Sequence, residues 1–160
     1  MEHSKVSRCL IAAGALAALV LLIVFFLYIP LLGVGIREEY PQLQFMFWPV
    51  LICAWALAGV YLYALTEYFR ICARIGQDRS FCQENARGLQ RIARCMLIGS
   101  GIILAAGILP CLILNVGNAG WAFCVLAATV ASGALGVLAW GIGKLLARAV
   151  KLKEENDLTI

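Results

Sequence analysis

The chain has 160 residues, 63% of them hydrophobic and only 14% charged, with a mean hydropathy of +0.91 and a formal net charge of +4. Soluble domains carry about a quarter charged residues, so this composition excludes an ordinary water-soluble globule and points to a bilayer as the solvent. The single histidine, His3, excludes a histidine-built metal site or a histidine-based triad.

The apolar residues come in blocks. Cys9 to Ile36 runs 28 residues without a charge, and about 20 suffice to cross a bilayer as a helix, which predicts a first span over about 9–32. That block is also too long for the ~7–15-residue apolar core of a cleaved signal peptide. Its alanines (Ala12, Ala13, Ala15, Ala17, Ala18) lie at its start, so a retained span is expected. Phe45 to Thr66, 22 residues, predicts a second span over 45–66. Pro30, Pro41, Pro49 and Pro110 all fall near one membrane surface. They either splay the helices around a small outer cavity or are tolerated near span ends.

An elbow over 67–94 follows, "EYFRICARIGQDRSFCQENARGLQRIARC" including Cys95. The second helix is expected to continue to Ile75 and stop at Gly76. Ser80 with Gln83 is a capping-box pattern that would start the next helix. On it Phe81, Leu89, Ile92, Ala93 and Met96 share an apolar face. Asn85 projects from that face and requires a partner, because an unpaired buried amide costs ~1–3 kcal/mol. Arg87, Arg91 and Arg94 line the opposite side, suited to anchoring and to anionic lipid headgroups.

Cys95 to Gly143, 49 residues without a charge, holds two spans, over 95–114 and 121–143, with Asn115 to Gly120 as the turn. Ala128, Ser132 and Gly136 form a small-residue ladder for helix packing, within one bundle or between two copies in a homodimer. The tail, 144–160, reads as the fourth helix extended. It changes sign from Lys144, Arg148 and Lys151 to Glu154, Glu155 and Asp157. Acids at a helix C-terminus oppose its dipole, so helix stability does not account for them.

With the N-terminus inside, twelve of the thirteen basic residues fall on the inner side, and only Arg37 lies outside. This is a strong positive-inside signal, giving both termini a cytoplasmic location. The expected fold is all-α: an integral membrane four-helix antiparallel bundle in one unit over 1–160, compact, with helical cytoplasmic extensions. No carboxylate or basic residue falls within the charge-free runs, which argues against ion-coupled transport. The seven cysteines contain no C-x-x-C pair, which argues against disulfide-generating enzymes. Cys111 and Cys124 could pair across the outer turn, or serve as small buried apolar residues.

The elbow segment "RIGQDRSFCQENARGLQRIA" and the ending "AVKLKEENDLTI" resemble a bacterial four-span membrane family, domain of unknown function 2975. The matching positions are Gly76, Phe81, Asn85, Leu89, Ile92, Glu155, Asn156, Asp157, Leu158 and Thr159. Members are commonly encoded beside a small Cro/CI-like helix-turn-helix regulator. The resemblance therefore implies a non-enzymatic protein of the bacterial cytoplasmic membrane that docks such a regulator through the elbow and tail. Glu154, Glu155, Asp157, Leu158 and Thr159 would be the docking residues, with no cofactor and no direct nucleic-acid contact. The alternative is a binder or transporter accessory for a small apolar molecule or lipid.

Overall fold

The computed structural model describes residues 2–39, 41–77, 81–114 and 119–157. Its elements are α1 (Glu2–Ile23), a π-helical turn (Val24–Tyr28), α2 (Ile29–Glu39), a 3-10 segment (Pro41–Met46), α3 (Phe47–Gly76), α4 (Gln83–Leu114) and α5 (Ala119–Asp157). There is no strand among the described residues. Among the described residues four stretches are long and apolar enough to cross a membrane: Ser7–Gly35, Gln44–Gly76, Gln83–Ile108 and Ala119–Lys153.

The π turn has a local cause. The Ile29 N–H bonds to the Val24 carbonyl, five residues back, immediately before Pro30. Proline has no N–H to give, and its ring crowds the carbonyl four residues earlier, that of Phe26. Widening the turn relieves this crowding and lets one helix continue into the next.

Burial is inverted relative to a soluble protein. Leu16, Leu27 and Phe123 are more than 60% exposed, because a side chain facing hydrocarbon gains little by turning inward. The largest fully buried side chains are Glu67, Asn85 and Cys72. Ser7, Glu67, Asn85 and Ser132, which lipid cannot solvate, are buried beside small and apolar residues.

Each span packs on its neighbour in the chain: α1 on α3, α3 on α4, α4 on α5. Small residues set the α4–α5 approach. The Ser132 hydroxyl donates to the Met96 carbonyl at 2.9 Å. A methyl on Gly136 would lie 3.1 Å from Met96 Cβ and Leu97 Cγ. Ser132 and Gly136 thus face α4 of the same chain, whereas Ala128, one turn earlier, is exposed.

Among the described residues no substantial packing joins α1 to α5. The four-helix bundle is open on one side, between α1 and α5. The opening leaves a cleft of about 630 Å³ lined by Ala13, Ala17, Tyr61, Ile92, Ala128 and Leu135, among others. It does not lie around the prolines of the opposite end. Alanines and Gly14 on α1 give too little side chain to fill the gap. At its floor Tyr61 Oη and Ser132 Oγ are 2.9 Å apart, and Ser132 hands on to Met96, so these polar atoms are satisfied.

Candidate functional site at the basic end of the bundle

Both described chain ends lie at the same end of the bundle. Ser7, near the start of α1, meets the last turns of α3, and Gly143 on α5 meets the start of α4. The Lys144 ammonium sits 4.2 Å from the Trp140 ring centroid, a pair suited to a membrane–water boundary. This end gathers most of the charged groups.

Its centre is Glu67, the first charge after the apolar run of α3 and only 1% exposed. One oxygen, Oε1, accepts from Arg70 Nη1 at 2.8 Å and from Arg91 Nη1 at 3.0 Å. Arg70 lies on the next turn of α3, and Arg91 reaches across from α4. A buried carboxylate is tolerable only when paired and hydrogen-bonded, and two guanidiniums meet that need. The approach depends on Gly88 of α4. A methyl there would stand 3.1 Å from Ile71 Cδ1 and 3.7 Å from Glu67 Oε2.

One to two turns further out, Arg74 of α3 ties to the first turn of α4. Its Nε lies 3.3 Å from Glu84 Oε2, and its Nη1 donates to Asn85 Oδ1 over a long 3.4 Å. Asn85 is 1% exposed. On the other side α1 is clasped to α3 by two bonds to backbone carbonyls, Ser7 to Cys72 (2.9 Å) and Tyr68 to Leu10 (3.0 Å).

Several expectations change here. The capping-box start at Ser80 is replaced by a start at Gln83; Ser80 itself lies outside the described residues. The Cys82 carbonyl accepts from the N–H groups of Asn85 and Ala86, so Phe81 precedes the helix and is 65% exposed, not part of its apolar face. Gly76 is the last residue of α3, so that helix ends where the sequence places its stop; a methyl there would come 2.8 Å from Ser7 Oγ. Its smallness serves the α1–α3 contact.

Leu89 is half-buried near Gly143, and Ile92 lines the cleft. Arg87, Arg91 and Arg94 are all exposed, and Arg91 is bound to Glu67. Glu155 is exposed, 3.7 Å from Lys151 on the preceding turn. The helix runs on to Asp157, so Glu154, Glu155 and Asp157 belong to the extension of the fourth helix. Leu158 and Thr159 lie outside the described residues, as do the side chains of Glu154, Asp157 and Cys111. Cys124 is a free, exposed thiol. Among the described residues no three metal-ligating side chains converge.

Reading by charge-free runs misses Glu67 and Arg70, because Glu67 counts there only as an acid in the elbow. The available signal was Glu67-x-x-Arg70, a helical i, i+3 pair at the end of an apolar span.

These features define a four-span helical membrane protein whose polar contacts concentrate in a basic seam at one end. The chain belongs to the family described as "Protein of unknown function (DUF2975)", which matches residues 31–160 and so takes in the seam and α5. It is 29% identical over 126 residues to the uncharacterized membrane protein YoaS of Bacillus subtilis (strain 168), covering 77% of this chain and 78% of that one. No solved structure matches it.

Proposed function

We propose that this is a non-enzymatic regulatory protein of the bacterial cytoplasmic membrane, with both termini cytoplasmic. In this reading it docks a helix-turn-helix transcription regulator through the elbow and the end of α5. The observation that carries the proposal is the length of α5: 39 residues in one helix, about 58 Å at 1.5 Å per residue. The hydrocarbon core takes about 30 Å. Measured from the boundary marked by Trp140 and Lys144, residues 144–157 extend about 20 Å beyond the membrane. A rigid rod of that length presents Glu155 to a soluble partner clear of the headgroups. Acidic groups there can occupy the basic surface a regulator otherwise turns to phosphates, and the family resemblance supplies the class of partner. The test is membrane co-fractionation of a co-expressed Cro/CI-like helix-turn-helix regulator, the class the family resemblance implies, with and without residues 154–160. Release to the soluble fraction on deletion supports docking; unchanged membrane recovery refutes it.

The 630 Å³ cleft favours a second reading, a binder of a small apolar molecule or a lipid chain, since its size is that of a ligand pocket. Ala128→Trp would fill it. Equal labelling of wild type and variant by a phospholipid with a photoactivatable acyl chain would set this reading aside.

A further inference from the structure

The Glu67 cluster has a built-in asymmetry. Its carboxylate is 2% exposed, while the two guanidinium side chains upon it are 59% (Arg70) and 50% (Arg91) exposed. The acid forms a floor and the cations a rim. One negative charge faces two positive ones, so the cluster keeps a net positive charge toward solvent. Each guanidinium has five N–H donors, and the bond to Glu67 uses one nitrogen of each. Arg87 and Arg94 stand one turn to either side of Arg91 and are exposed. Arg74, one turn beyond Arg70, is held by Glu84 and Asn85 and closes the outer end of the seam. The depth is also defined. Glu67 and Arg70 are the first charges after the run ending at Thr66, and Arg91 lies four residues before the run beginning at Cys95. These positions are within about 6 Å of the apolar boundary, where phospholipid phosphates lie.

We propose that the α3–α4 seam, with Arg70 and Arg91 held on Glu67, is a binding site for the phosphate of an anionic phospholipid in the leaflet at the basic end. Basic pockets between transmembrane helices hold anionic headgroups, and guanidinium forks match phosphate oxygens in geometry as well as charge. Glu67 is a positioning residue. It fixes two flexible arginines so that their remaining donors converge, which lowers the ordering cost of capture.

Diffuse attraction to a basic surface and a built site make opposite predictions for Glu67→Gln. Removing a negative charge strengthens diffuse attraction to anionic lipid, whereas removing the shared anchor weakens a built site. The experiment is native mass spectrometry of the full chain in detergent, titrated with phosphatidylglycerol, with phosphatidylcholine of the same acyl chains, and with phosphatidylglycerol in the presence of inorganic phosphate. The expected result is selective retention of phosphatidylglycerol. Arg91→Gln should weaken it about fivefold or more, the weight of one basic residue at an anionic surface. Glu67→Gln should weaken it too, while Lys153→Gln, which removes the same charge from the end of α5, changes it less than about twofold. Tighter retention in Glu67→Gln, or equal losses in Arg91→Gln and Lys153→Gln, would overturn the site. Displacement of the lipid by an equal concentration of inorganic phosphate would overturn the lipid as its ligand. Circular dichroism checks folding; should Glu67→Gln misfold, the exposed Arg70→Gln carries the comparison with Lys153→Gln.

Discussion

Because Arg70 and Arg91 share a single oxygen of Glu67, their contributions to stability should be strongly non-additive. In Arg91→Gln the carboxylate keeps Arg70 at 2.8 Å, and in Arg70→Gln it keeps Arg91 at 3.0 Å. Both arginines are at least half exposed, so solvent screens what either contributes, and each single loss should cost about 0.2–1 kcal/mol. With both replaced, a side chain that is 2% exposed retains a charge and no cation beside it. Breaking a buried pair in this way costs about 3–5 kcal/mol. The double variant should therefore exceed the sum of the singles by at least about 1 kcal/mol. For a chain of this size each kcal/mol moves the thermal midpoint by roughly 2–4 °C, so the excess is measurable by circular dichroism in detergent. Additivity within about 0.5 kcal/mol would show that Glu67 is not held as a shared buried acceptor, and the positioning role assigned to it would fall with it.

Three further outcomes follow from the geometry. Gly136→Val should destabilise by about 1–3 kcal/mol through overpacking against Met96 and Leu97, whereas Gly101→Ala, with nothing within 4 Å, should be neutral or stabilising; equal effects on the melting midpoint would contradict the packing described. Asn85→Asp keeps an acceptor for Arg74 and should be more stable than Asn85→Leu, which loses every polar contact of a fully buried position; the reverse order in a detergent melt would exclude the Arg74 contact as a stabilising one. Single cysteines on a Cys-less background should be labelled by an impermeant reagent from outside at position 40 and from inside at positions 80 and 158, and outside labelling at 80 would invert the proposed orientation.

The four spans are legible in sequence because the hydrocarbon width imposes a length on them. A charge-free run of 22 residues such as Phe45–Thr66 has few other uses. Helix ends and helix partners carry no such constraint. Ser80 and Gln83 have the residue types of a capping box, yet the first helical carbonyl belongs to Cys82, and nothing in the local pattern distinguishes the two starts. Glu67 sits one residue beyond an apolar run, where an acid is normally solvated. Its burial depends on Gly88 and Arg91, more than 20 residues away on another helix. The open side was hidden for a related reason: which neighbour a small residue meets is not written locally, and Gly14 packs against Tyr68 and Phe69 of α3 while Ala13 and Ala17 line a cleft that α5 does not close.

In lipid, apolar side chains give little preference for one helix register over another, so close approach and polar contacts must supply it. Here each consecutive pair of spans has its own polar link. Ser7 and Tyr68 join α1 to α3, Glu67 and Arg74 join α3 to α4, and Ser132 joins α5 to α4. All but the last lie at the basic end. The residues that set helix register are thus in large part the residues that a headgroup or a docked protein would touch. A ligand that competes with Glu67 for Arg91, or reinforces that bond, acts directly on the α3–α4 contact. α5 packs along α4 through Gly136 and Gly143, so the α3–α4 and α4–α5 contacts share one helix.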